Sequence, residues 1–154
     1  MKTRAVFLDR DGVINRYAYD AESGTFDSPA HPAAFELMPG AGEAIAALNR
    51  LRVPVIVVSN QPGIAKGKFS VALLDRINEE MRVQLAHFDA RLEAVLYCRH
   101  HPDGTVPGYS GACECRKPKP GLILRAAQER NVDLGRSFFI GDGVPDILAG
   151  ALQG

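Results

Sequence analysis

The chain has no tryptophan, only three cysteines and no excess of either charge, with 18 lysines and arginines against 18 aspartates and glutamates. Each shortage excludes something. Balanced charge leaves no basic stripe of the kind that tracks a phosphodiester backbone, so no nucleic-acid partner is expected. Three cysteines cannot build a disulfide framework, and Cys113 and Cys115 are too close to bridge comfortably. No apolar run approaches the roughly 20 residues of a membrane span, so no membrane partner is expected. The short apolar run after Met1-Lys2-Thr3-Arg4 is too brief for a signal-peptide core. These absences point to a cytoplasmic protein, which we expect to be monomeric.

What is present is a chain of 154 residues, 46% hydrophobic, long enough for one compact domain spanning 1–154. Continuous apolar runs at 5–8, 53–58, 94–97 and 138–140 read as buried parallel strands. Between them, apolar residues recur at helical spacing: Ala41, Ile45 and Leu48, then Leu74, Ile77, Met81 and Leu85, with Ser70 placed to cap the second run. A third helix should have Pro120 in its first turn and carry Leu122, Ile123 and Ala126 inward. Strand and helix alternating in this way predict a doubly wound, Rossmann-like parallel sheet with helices on both faces. The segments 16–36 and 99–119 break the alternation and read as long loops, which are uncommon unless functional or held by something.

Charge gathers where these strands end. Asp9 and Asp11 close the first, two residues apart, with Gly12 permitting the turn. Two close carboxylates repel unless a cation or a shared proton offsets them. Alone, the motif fits an ordinary strand and Asp-Gly turn equally well. Ser59 and Asn60 follow the second strand, where a hydroxyl and nearby backbone N–H groups make either a phosphate cradle or a plain helix cap. The cations Arg116, Lys117 and Lys119 precede a helix start; a solvated surface run is the bland alternative to aiming at an anion. Asp142 and Asp146 follow the last strand. Oxygen ligands from Asp9, Asp142 and a backbone carbonyl, completed by waters, describe a Mg²⁺ site.

The loop 98–115 holds Cys98, His100, Cys113 and Cys115 in two close pairs. That set suits tetrahedral Zn²⁺ with no position left for water, hence a structural metal. His101 competes with His100 for the histidine position, and the alternative is scattered thiols beside surface histidines.

With these four strand ends in order, the chain resembles the haloacid dehalogenase-like phosphohydrolases. Asp9-Arg10-Asp11-Gly12 matches their first motif, Ser59 the second, Lys117 the third, and Asp142 with Asp146 the fourth. Within them, the runs Phe7 through Asn15 and Ser59 through Ala65, with the cysteine loop, are similar to the heptose bisphosphate phosphatases. The histidinol-phosphate phosphatases share the zinc pattern, and polynucleotide 3′-phosphatases belong to the same superfamily. A binding module without turnover is an alternative of another class. The resemblance implies a Mg²⁺-dependent phosphatase for a small sugar phosphate, with a zinc-stapled loop in place of a cap domain. It implies Asp9 as nucleophile and Asp11 as general acid and base. Mg²⁺ would be held by Asp9, Asp142 and the Asp11 carbonyl, with Asp146 behind them. Ser59, Asn60, Arg116 and Lys117 would bind the phosphate and the substrate. Three departures stand out. Gly143 follows Asp142 where a lysine is expected, and the 16–36 segment is long and differs in sequence. The chain also ends at Gly154, where the family continues with another strand and helix, so we expect a C-terminally shortened chain.

Overall fold

A computed structural model describes residues 1–151. Along the chain it has β1 (Val6–Leu8), β2 (Ala18–Asp20), β3 (Thr25–Asp27), α1 (Ala41–Arg50), β4 (Val55–Asn60), α2 (Val71–Ala86), β5 (Ala94–Cys98), α3 (Gly121–Glu129), β6 (Phe138–Ile140) and α4 (Val144–Ala151). The four apolar runs form one sheet in the order β5-β4-β1-β6, every pair parallel. Its register sets Val6 beside Val55 and Phe138, so the ends of β1, β4 and β6 open on the same side.

Successive strand residues face opposite ways, and the two cores follow that alternation. Val6, Leu8, Val55 and Val57 share one core with Ile45 of α1 and Ile77, Met81 and Leu85 of α2. Phe7, Ile56 and Val58 share the other with Leu122, Ile123 and Ala126 of α3 and Ala149 of α4. The sheet is therefore covered on both faces, as the alternation of runs predicts, and each large side chain so buried contributes about 1.5–3 kcal/mol.

The helix starts have local causes. Ser70 caps α2, its Oγ accepting from the Leu73 N–H at 3.1 Å. α1 lacks a side-chain cap; Glu43 in its first turn and Arg50 in its last complement the helix dipole. α3 begins at Gly121, so Pro120 caps it from outside instead of occupying the first turn. A side chain on Gly121 would run into the Glu114 carbonyl, so the cysteine loop lies directly against this helix start.

Two expectations need correction. The 16–36 segment is not a bare loop: β2 and β3 pair as an antiparallel hairpin, with the Tyr19 ring edge-on to Phe26 at 5.5 Å, and a 3-10 turn follows at Pro32–Ala34. The 138–140 run reads as a buried strand, but β6 forms the sheet edge among the described residues, with Phe138 and Ile140 exposed. No cap domain is inserted among the described residues, and no helix there is long and apolar enough to cross a membrane.

Candidate active site

The strand ends bring Asp9, Asp11, Ser59, Asn60, Lys117, Asp142 and Asp146 to one cavity of about 240 Å³, which Tyr17 and Ser28 also line. Asp9, Asp142 and Asp146 each offer a carboxylate oxygen within 4.8 Å of the others. Three hard anionic oxygens at that spacing fit a divalent cation such as Mg²⁺, which takes one or two carboxylates and fills its other positions with water and phosphate.

Lys117 is nearly enclosed. Its Nζ donates to the Val58 carbonyl at 2.9 Å and to Asp146, and lies 3.2 Å from Asp9 Oδ1. Burial pushes the Asp9 carboxyl up to about 6; Lys117 draws it down and Asp146 raises it further. Asp146 thus backs the lysine as well as the acidic cluster. The Asn60 side chain is committed to the same lysine, donating to its carbonyl at 3.1 Å and accepting from its N–H at 2.9 Å. Ser59 Oγ accepts from Gln61 at 3.2 Å and faces the cavity. Arg116 carries a buried guanidinium nitrogen with no hydrogen-bond partner among the described residues.

Asp11 is saturated with donors. Its Oδ1 accepts from Arg10 Nε and Asn15 Nδ2, each at 3.0 Å; its Oδ2 accepts from Gln61 Nε2 at 2.9 Å and from the Ser28 hydroxyl. Burial alone would raise this carboxyl, but the Arg10 guanidinium and these hydrogen bonds hold it below the usual range. Arg10, fully buried, also donates to Gln61 Oε1 at 3.1 Å.

The cysteine loop closes on itself. Cys113 Sγ lies 3.5 Å from both Cys98 and Cys115, Cys98 and Cys115 are 3.0 Å apart, and His100 Nδ1 is 3.8 Å from Cys98 and 3.4 Å from Cys115. Tetrahedral zinc with Zn–S of about 2.3 Å needs sulfurs roughly 3.8 Å apart, so the four ligands fit with a small expansion. His101 stands outside this group, its Nδ1 accepting from the Asp103 N–H at 3.0 Å.

Sequence reasoning did not single out Tyr17, Ser28, Asn15 or Gln61, and gave Arg10 no role. Arg10 did leave a signal: a cation between two aspartates at the end of a buried strand needs an acidic partner nearby. Tyr17 and Ser28 left none, because they sit in a polar segment with no periodicity.

An open α/β sheet whose strand ends gather three carboxylates beside a buried lysine is built to hold a divalent cation and a phosphoryl group together. The comparisons supply the class. A family profile described as haloacid dehalogenase-like hydrolase matches residues 32–154. The D-glycero-β-D-manno-heptose-1,7-bisphosphate 7-phosphatase of Escherichia coli K12 is 36% identical over 148 residues, covering 94% of this chain and 72% of its own. That of Vibrio cholerae is 36% identical over 157 residues, covering 100% and 78%. Among solved structures, a HAD-like phosphatase from Mesorhizobium loti superposes with a TM-score of 0.86 at 36% identity, covering 97% of this chain and 68% of its own. The D,D-heptose 1,7-bisphosphate phosphatase of B. bronchiseptica, complexed with magnesium and phosphate, gives 0.81 at 34%, covering 99% and 77%. The chain belongs to the haloacid dehalogenase-like hydrolases, and it is a phosphatase of that superfamily.

Proposed function

We propose that the chain removes the 7-phosphate of D-glycero-β-D-manno-heptose 1,7-bisphosphate by a two-step displacement through Asp9. The observation that carries the reading is the convergence of Asp9, Asp142, Asp146 and Lys117 on one cavity. Relatives at 36% identity bearing that activity's name supply the sugar.

Asp9 attacks phosphorus and the bond to the sugar oxygen breaks, leaving an aspartyl-phosphate on Asp9. Asp11 gives its proton to the departing oxygen, then takes one from the water that releases phosphate from Asp9. A phosphate dianion beside Asp11 opposes the pull of Arg10 and favours the protonated acid that the first step requires. Lys117 and Ser59, which line the cavity, meet the phosphoryl oxygens, Asn60 holds the Lys117 backbone beside them, and Arg116, next in the chain but outside the cavity lining, would reach toward the rest of the substrate. Asp9, Asp142 and the Asp11 carbonyl, with Asp146 behind, would hold Mg²⁺, whose charge would offset that of the nucleophile and the phosphate. Cys98, His100, Cys113 and Cys115 would hold Zn²⁺, which would fix the loop that leads into Arg116 and Lys117. A cavity already lined by nucleophile, acid, lysine and acidic cluster supports a single domain acting as a monomer. A phosphorylated sugar does not cross membranes unaided, which supports a cytoplasmic setting.

Phosphate release from the heptose bisphosphate, histidinol phosphate and a 3′-phosphorylated oligonucleotide tests the reading. The first is expected to have the highest kcat/KM, to require Mg²⁺, and to lose about 10³-fold or more in D9N. Preference for histidinol phosphate or the oligonucleotide, or binding without release, overturns it.

A further inference from the structure

The two feet of the β2–β3 hairpin, Tyr17 and Ser28, line the cavity and rest on its carboxylates. The β2–β3 hairpin leaves the strand-end loops at Tyr17 and rejoins them at Ser28, and both feet make hydrogen bonds there. Tyr17 Oη donates to Asp142 Oδ2 at 2.8 Å, and Ser28 Oγ donates to Asp11 Oδ2. Asp27, next to Ser28, pairs with Lys68, tying the hairpin to the segment after β4. The approach of Tyr17 depends on Gly12, which has φ +82; a Cβ there would meet the Asp142 carboxylate and the Tyr17 ring. Asp142 itself is exposed. The Tyr17 hydroxyl is the side-chain donor that fixes its carboxylate among the described residues. A carboxylate free to rotate gives up that freedom when it takes a metal, whereas one already held by a hydroxyl on one oxygen presents the other in place.

We propose that Tyr17 is a positioning residue for Asp142: its hydroxyl holds one carboxylate oxygen so that the other meets the divalent ion, which couples the β2–β3 hairpin to metal binding. The coupling is reciprocal, because a hairpin that orients the metal ligand is itself ordered when the metal arrives. This rests on the phosphatase reading only in its kinetic arm.

Calorimetric titration with Mg²⁺ alone is the primary test. Tyr17→Phe keeps the ring and removes one oxygen, and is expected to weaken Mg²⁺ binding about tenfold. Tyr19→Phe, the same change two residues along on an exposed ring, should leave affinity unchanged and controls for disturbance of the hairpin. Hydrogen exchange over 17–28 should slow on Mg²⁺ addition in the native protein and not in Tyr17→Phe. In turnover of p-nitrophenyl phosphate, the Mg²⁺ activation constant should rise tenfold while KM at saturating Mg²⁺ holds. Equal or tighter Mg²⁺ binding by Tyr17→Phe overturns the proposal, as does absence of Mg²⁺ uptake by the native protein. A native protein that binds Mg²⁺ yet releases no phosphate overturns the phosphatase reading and leaves the calorimetry to decide this one.

Discussion

At the scale of single residues the site is a balance of buried charges, and Asp9 shows it best. Its carboxyl, lifted from 3.8 to about 6 mainly by burial, binds a proton more tightly in the folded chain than in the unfolded one. The folded protein therefore holds that proton between about pH 4 and 6 while the unfolded chain has released it. The metal-free protein loses roughly 3 kcal/mol of stability as pH rises through that window. Mg²⁺ competes for the same oxygen, so its stabilising effect should be small near about pH 5 and large near about pH 7.5. Thermal denaturation with and without saturating Mg²⁺ at the two pH values checks this, and a metal-induced rise in Tm that is equal at both, or larger at the acid one, would contradict it. The carboxylates were legible in the sequence through their recurrence: one acidic strand end fits an ordinary Asp-Gly turn equally well, but charge at several strand ends in order does not. Their supporting donors were not legible. Asn15 and Gln61 look like loop residues in the sequence, yet both are completely buried against Asp11 and Arg10. Which polar side chains turn inward is decided by tertiary packing, not by spacing along the chain.

At the scale of elements, the long segments divide by what holds them. The 99–119 stretch was legible because metal ligands are rare residue types and their spacing survives any loop conformation. It closes on Cys98, His100, Cys113 and Cys115 and then lies against the start of α3, where Gly121 leaves room for the Glu114 carbonyl. Its own apolar content is low, so beyond the backbone bonds of Thr105 and Val106 to Ala65, a metal on these four residues would be its main restraint. The purified chain should carry about one zinc. Stripping it should remove hydrogen-exchange protection from 99–119 while leaving β1 and β4 protected, and should raise KM, because Arg116 and Lys117 leave that loop. Unchanged exchange and KM after removal would show that the loop stands without its metal. The β2–β3 hairpin escaped sequence reading for the opposite reason. Ala18–Asp20 and Thr25–Asp27 are three-residue strands with no alternation to detect. Their aromatic pair, Tyr19 and Phe26, remains largely exposed. A strand that buries neither face has no hydrophobic signature.

At the scale of the whole molecule, chemistry and stability are separable by depth. The charged groups that line the cavity occupy the ends of β1, β4 and β6 and the loops beyond them, while the interiors of those strands carry apolar side chains packed against helices on both faces. The same separation made the sheet legible: a central strand buried on both faces, such as β4, has to be continuously apolar, and such runs stand out in a chain with balanced charge. The edge strand β6 has the same apolar run in a different setting, with Phe138 and Ile140 exposed, because composition does not specify a strand's place in the order. The separation predicts two kinds of variant. Ile56, fully buried in β4 with its side chain in the α3 core, lies well below the cavity. Ile56→Ala should cost about 2–5 kcal/mol through lost burial and the cavity left behind. Urea unfolding should show the midpoint falling with the slope unchanged. Well below its Tm, the folded variant should keep the native kcat/KM, since no reacting group has moved. A loss of kcat at that temperature, with stability accounted for, would mean that packing under β4 sets the position of Ser59 and the Asp9 pocket, and that scaffold and site are one cooperative unit.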